Sequence, residues 1–288
     1  MSEALVVEGL TAGYGPTIVL DDVSFAVPSG GTLAVLGRNG VGKTTLLSTL
    51  MGFTQRHRGI IRFGEAAIEN AATHRRNRLG LGLVPQEREI FPSLTVEENL
   101  RIAARPQGWS LARIYDLFPG LQERRDNAGN RLSCGEQQML AIGRALAGAP
   151  KLLLLDEPTE GLAPVVADAL TDALIRVRDE ARTSIILVEQ RIDLALAFTK
   201  EVLVLDRGRI VYRGMSTALE ADDAAKARLF GVASAASRVP RSYQSPLPGL
   251  RGAELSKFTE RSEASDSSKA SASTLFPVAD PSGCLIKL

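Results

Sequence analysis

Gly37-Arg38-Asn39-Gly40-Val41-Gly42-Lys43-Thr44-Thr45 is the stretch on which the reading of this chain turns. The apolar run Thr32-Leu33-Ala34-Val35-Leu36 ahead of it reads as a buried strand, and Leu46-Leu47-Ser48-Thr49-Leu50-Met51 behind it as a helix. Strand, glycine-rich turn and helix thus follow in the order a phosphate-binding loop needs. Gly37, Gly40 and Gly42 lack a Cβ, so backbone N–H groups can turn inward around phosphate oxygens, with Asn39 part of the cradle. The helix start adds unpaired donors and partial positive charge. Lys43 then reaches the β- and γ-phosphates, Thr44 places its hydroxyl on Mg²⁺, and Thr45 bonds a neighbouring phosphate. The plain alternative, a flexible turn with a surface lysine, does not account for the flanking strand and helix.

Lys151-Leu152-Leu153-Leu154-Leu155-Asp156-Glu157-Pro158 supplies the complementary chemistry. Four leucines before a charged pair read as a central parallel strand, with Asp156 and Glu157 at its carboxyl end, where ligands gather in open α/β sheets. Two carboxylates there suit Mg²⁺ binding and water activation. Gln86, at the end of the run 79–84 and before a proline-bounded loop, can ligate Mg²⁺ or position water through its amide oxygen. Ser184-Ile185-Ile186-Leu187-Val188 is another buried strand, and Glu189-Gln190 at its end is expected to face the γ-phosphate. Tyr14, between Gly13 and Gly15, either stacks on an adenine ring or is an exposed turn residue. Ser133 is a plausible N-cap of the helix that follows, and with Gly135 makes a second anion-binding helix start.

Around these motifs, residues 5–10 and 23–27 read as strands split by Gly13-Tyr14-Gly15-Pro16, and 59–64 as another. Arg75-Arg76-Asn77-Arg78 reads as a basic, solvated patch. Thr95-Val96-Glu97-Glu98 is a capping box, and residues 93–148 look all-helical. A helix over 164–178, one over 191–198, a hairpin turn at Arg207-Gly208 and one last helix to Phe230 complete the ordered part. From 233 to 288 serine, alanine and proline dominate without periodicity, which predicts a flexible tail.

With 288 residues, 44% hydrophobic and 23% charged, the chain can bury a large core, and a net charge of +1 offers no global argument for nucleic acid. Two cysteines, Cys134 and Cys284, in unlike surroundings make a disulfide framework or zinc site improbable and fit a reducing compartment. No apolar run reaches the roughly 18 to 20 residues of a spanning helix. Any service to a membrane is expected from outside the bilayer.

Taken together, Tyr14, the loop 37–45, Gln86, the segment 132–137 and Asp156-Glu157, in this order, resemble the ATP-binding subunit of ABC transporters across residues 1–232. Val96-Glu97-Glu98-Asn99-Leu100, residues 135–146 and Glu160-Gly161-Leu162-Ala163-Pro164 look like the second ATPase of branched-chain amino acid importers. Arg38-Asn39-Gly40-Val41 and Arg88-Glu89-Ile90-Phe91-Pro92 lean towards the related urea importers. The resemblance implies an α/β nucleotide-binding domain of ABC type with an antiparallel β subdomain and a helical subdomain at about 93–148. It implies ATP and Mg²⁺ as cofactors, the metal on Thr44, Gln86 and Asp156, with Glu157 polarising the attacking water and Gln190 at the switch position. It further implies a head-to-tail dimer in which Ser133 and Gly135 touch the partner's nucleotide. Two permeases, a solute-binding protein reached indirectly and a peripheral place on the cytoplasmic face of the cell membrane complete that picture, with no nucleic acid. A weakly hydrolysing regulatory subunit remains the alternative, because two positions depart from the family pattern. Cys134 stands where the signature usually has glycine, and Gln190 where most of the superfamily has histidine. The first Cβ is expected to be tolerated; the second side chain cannot carry the positive charge available to imidazole.

Overall fold

A computed structural model describes residues 3–180 and 183–231. The expected tail, with Cys284, lies outside the described residues.

The chain begins with a hairpin of long strands, β1 (Glu3–Tyr14) and β2 (Thr17–Pro28), each longer than the apolar runs predict. Strand β4 (Gln55–Phe63) and the short β5 (Ala66–Ala67) complete an antiparallel sheet in the order β2-β1-β4-β5. The second sheet is built from β3 (Thr32–Leu36), β6 (Leu81–Val84), β7 (Leu152–Asp156), β8 (Ser184–Glu189), β9 (Glu201–Asp206) and β10 (Arg209–Met215). Its order is β10-β9-β3-β8-β7-β6, parallel except for the β9–β10 hairpin, whose turn carries Arg207 and Gly208 at φ 45° and 77°. Two consecutive left-handed residues match the right-handed twist of paired strands.

Alternation along these strands divides the core. Leu33, Val35, Leu152, Leu154, Ile186 and Val188 face the antiparallel sheet and the helix α1 (Lys43–Met51). Leu153, Leu155, Ile185 and Leu187 face the other way, onto α3 (Val96–Ala103), α4 (Leu111–Leu117), α5 (Pro119–Glu123), α6 (Cys134–Ala147) and α7 (Pro164–Glu180). A strand buried on both faces has no polar alternation, which is why β7 reads as four leucines. Each fully buried leucine contributes about 1.5–3 kcal/mol, so β7 is anchored firmly under its two carboxylates. A third cluster joins Ala34, Leu36, Val202 and Val204 to α8 (Ile192–Phe198), α9 (Ser216–Ala221) and α10 (Asp223–Phe230).

Two expectations need correction. The last helix is two helices: Asp222 leaves helical backbone at φ −104°, ψ 86° and accepts the Ala225 N–H at 2.8 Å, so it caps a new helix. The basic patch 75–78 lies within α2 (Thr73–Leu79), and Arg76 is buried, not solvated. Its guanidinium donates to the carbonyls of Thr49 at 2.7 Å and Leu50 at 2.8 Å, and also to Ala71 and Glu69. A cation on the carbonyls of the last turn of α1 stabilises the helix that carries the glycine loop.

Candidate nucleotide site

The loop between β3 and α1 is shaped by close contacts. A Cβ on Gly37 would stand 2.5 Å from the Leu205 carbonyl oxygen, so the loop hugs β9 only with glycine there. Gly42 ends the loop at φ 110° as the residue before α1. The Lys43 ammonium lies underneath, 4% exposed, donating to the Gly37 carbonyl at 2.8 Å and the Arg38 carbonyl at 3.1 Å. Its third partner is the Glu157 carboxylate, Oε1 at 3.0 Å. Gln190 Nε2 donates to the other oxygen of Glu157. The lysine of the loop, the carboxylate after β7 and the glutamine after β8 therefore meet, because β3, β8 and β7 are neighbours in the sheet and their carboxyl ends lie side by side.

A cavity of about 240 Å³ opens here, lined by Val19, Asn39, Gly40, Gly42, Lys43, Thr44, Thr45, Gln86 and Glu157. Of the residues expected to bind nucleotide, Tyr14 and Gly37 do not line it. Tyr14 is half exposed at the β1–β2 turn, and Val19 of β2 supplies the apolar wall instead. Ser133 and Gly135 are also elsewhere, at the start of α6. There Ser133 and Glu136 form a reciprocal capping box, with Ser133 Oγ accepting the Glu136 N–H and Glu136 accepting the Ser133 N–H at 2.8 Å. Gly135 has a packing reason as well, since a Cβ would come within 2.5 Å of Val166 Cγ1 on α7. Cys134 is half-buried beside it, at the first position of α6.

Asp156 is buried and its Oδ1 has no hydrogen-bond partner. Burial pushes its carboxyl up to about 6, opposed by the Thr44 hydroxyl and by Lys43. An orphaned carboxylate oxygen next to a threonine hydroxyl suits a hard dication. Among the described residues no cluster of three or more His, Cys, Asp or Glu is arranged to hold a metal, so a cation here would depend on Asp156, Thr44 and oxygens of the ligand. Gln86 donates its Nε2 to Glu160, leaving Oε1 as its acceptor.

One residue the sequence pointed at the γ-phosphate turns into the protein instead. Glu189 does not face the cavity; it is 3% exposed and accepts from Thr159 Oγ1 at 2.8 Å and from the Gln190 N–H at 3.1 Å. Burial raises its pKa against those hydrogen bonds. Asn99 was missed as well: fully buried, it accepts the Phe91 N–H at 2.9 Å and donates to the carbonyls of Phe91, Leu94 and Thr95. It ties the loop that follows Gln86 to α3. A polar residue on the apolar face of a capped helix was the available signal.

A family model described as ABC transporter matches residues 20–160. A high-affinity branched-chain amino acid transport ATP-binding protein, BraG of Pseudomonas aeruginosa, is 40% identical over 72% of this chain and 90% of its own. A probable branched-chain amino acid transport ATP-binding protein, LivF of Archaeoglobus fulgidus, is 35% identical over 73% and 91%. The lipopolysaccharide export ATP-binding protein LptB of Escherichia coli is 30% identical over 77% and 95%. Among solved structures, cbiO1 of Clostridium perfringens, part of an ABC transporter complex, superposes with a TM-score of 0.67 at 26% identity, covering 84% of this chain and 97% of that one. A nucleotide-free ATP-binding cassette from an ABC transporter gives 0.66 at 25% identity, over 77% and 96%.

Proposed function

We propose, for a chain that belongs to the ABC transporter family of ATP-binding proteins, the role of ATP-hydrolysing subunit in an importer of branched-chain amino acids or a related small polar solute. Membership makes the protein an ABC ATPase that binds and hydrolyses ATP. The observation carrying the solute assignment is the 35–40% identity to BraG and LivF over nine-tenths of their lengths. Relatives named for sulfate import and lipopolysaccharide export share the same ATPase chemistry, so the solute is set by partner subunits.

Lys43 holds the β- and γ-phosphates once they displace Glu157 from its ammonium, and the backbone around Gly40 and Gly42 cradles them. The freed Glu157 carboxylate, oriented by Gln190, polarises the attacking water. Thr44, Asp156 and Oε1 of Gln86 would hold Mg²⁺, which would supply charge neutralisation for the phosphate oxygens. Ser133 and Gly135, outside this pocket, serve the nucleotide of a second ATPase subunit, and residues 1–232 act as one ABC unit with its helical part at 93–148. Tyr14, exposed at the β1–β2 turn outside the cavity lining, is the side chain assigned to stack on adenine.

A larger cavity of about 660 Å³ shares Thr44 and Gln86 with the nucleotide pocket and runs past Phe53, 57% exposed, to Arg144. It adjoins another lined by Asn77, Leu83, Ile102 and Arg144. Exposed Phe53 and Ile102 beside this groove offer an apolar seat for a cytoplasmic segment of a permease, and Gln86 lies between that seat and the γ-phosphate. No helix among the described residues is long and apolar enough to cross a membrane, which fits peripheral attachment to the cytoplasmic face through two permeases, with a solute-binding protein beyond.

Uptake of labelled leucine, sulfate and urea in cells lacking this chain tests the assignment. Loss of leucine uptake alone, restored by the wild-type chain and not by Lys43→Ala, is expected; loss of urea uptake instead overturns the solute.

A further inference from the structure

Glu157 and Gln190 sit on different loops, one after β7 and one after β8, and the ladder between those strands ends with the Glu157 N–H donating to the Val188 carbonyl at 2.9 Å. Beyond it, side chains alone hold the two loops together. Gln190 Nε2 reaches across to Glu157. In the opposite sense Thr159, two residues after Glu157, donates its hydroxyl at 2.8 Å and its N–H at 3.4 Å to Oε1 of Glu189. Oε2 of the same carboxylate accepts the N–H groups of Gln190 at 3.1 Å and Arg191 at 3.4 Å. Four donors from two loops thus converge on one side chain that is almost fully buried, as Thr159 is also. An amide in its place would bring one acceptor and an NH₂ to a spot that holds only donors. Glu157 itself sits at φ 45°, a left-handed conformation that a non-glycine residue keeps only when its surroundings hold it there.

We propose that Glu189 is a positioning residue for ATP hydrolysis: by clamping Thr159 and the backbone of Gln190 and Arg191, it sets the distance between the Gln190 amide and the Glu157 carboxylate. Glu189 touches neither nucleotide nor water; it acts through Gln190 and the loop that carries Glu157. The proposal rests on the assignment of Glu157 as the water-polarising carboxylate. It explains why a carboxylate that forms no ion pair among the described residues is kept under the site, where burial alone disfavours it. A glutamine at position 190 is longer and more flexible than an imidazole, so its amide needs its backbone pinned to stay on target.

Steady-state ATP hydrolysis by the purified full-length chain, with nucleotide affinity and thermal midpoint measured in parallel, tests this in wild-type and Gln190→Ala backgrounds. Glu189→Gln and Thr159→Val are each expected to lower kcat about tenfold with KM for ATP within about twofold, as misplacement of a reacting group does. Thr159→Ser, which keeps the hydroxyl, is expected to restore most of the rate. In the Gln190→Ala background Glu189→Gln is expected to cost clearly less than in wild type, because one of the two groups it positions is gone and only the Glu157 loop remains to be held. An equal loss in both backgrounds, or a loss that only follows the folded fraction, overturns the proposal and makes Glu189 a structural residue. Should Glu189→Gln fold poorly, Thr159→Val against Thr159→Ser decides the same question. A rate that survives Glu157→Gln sinks the carboxylate assignment instead, a result distinct from either.

Discussion

The pocket around Lys43 and the start of α6 both sit at helix N-termini, yet they are built in opposite ways. At Lys43 the charges are buried and paired with groups from other elements: an ammonium held by two loop carbonyls and by Glu157, and a carboxylate held by Gln190. At α6 the polar groups satisfy one another locally, Ser133 with Glu136, and remain at the surface. The first region is organised by tertiary contacts within one chain. The second is a finished, rigid surface whose anion would have to come from outside. That contrast fits the proposed head-to-tail pair of half-sites, in which one half holds its own nucleotide and the other is presented to a neighbour.

Substitutions on either side can break the comparison. The largest effect is expected at Glu157. Glu157→Gln should lower the hydrolysis rate by about 10²- to 10⁴-fold, the range for removing a general base, while ATP still binds. Retained turnover would move the working carboxylate elsewhere. Lys43→Ala removes the cation from a buried carboxylate, with an expected stability loss of about 3–5 kcal/mol. Calorimetric titration should show ATP affinity falling about a hundredfold or more in the same variant, as loss of charge-assisted bonds to phosphate implies. Affinity equal to wild type would remove Lys43 from the phosphates.

On the other side, Ser133→Ala should leave ATP affinity of the single chain unchanged, cost about 1 kcal/mol of stability through the lost cap, and lower turnover of the assembled transporter. A drop in single-chain ATP affinity would end the division into two halves. Asn99→Ala leaves the Phe91, Leu94 and Thr95 carbonyls without their shared donor, and is expected to lower stability by about 2 kcal/mol by denaturant titration. Smallest of all, Cys134→Gly should change turnover by less than about twofold, since Ser133 and Gly135 are unaltered.

Much of the fold was legible because its decisive signals are local. The order β3, glycine loop, α1 follows from a short apolar run, three glycines and a helix former, and the capping box at Thr95 and the N-cap at Ser133 appear as written. The helices over 96–147 follow from helical periodicity, and β-forming runs mark strands of the antiparallel sheet, whose arrangement the family resemblance implied. The residues that were misplaced share a cause. Arg76 reads as solvated because arginines usually are, but four carbonyls, two of them at the end of α1 26 and 27 residues earlier, draw it inside. Glu189 and Gln190 are adjacent in sequence, and a strand end sends successive side chains to opposite sides. Only one of them can face the pocket, and periodicity alone does not say which.

What the sequence by itself determined is the chemistry available: a glycine loop for phosphate, two carboxylates after a buried strand, and glutamines at 86 and 190. Tertiary structure decided which of these groups meet. Lys43 and Glu157 lie 3.0 Å apart although 114 positions separate them, because β8 pairs with β3 on one side and β7 on the other and so brings their carboxyl ends to one edge. Strand order is a property of how sheets pack, set by long-range burial, and no local pattern encodes it. The same packing turned Glu189 inward, where burial penalises its charge and only four converging donors make its place tenable.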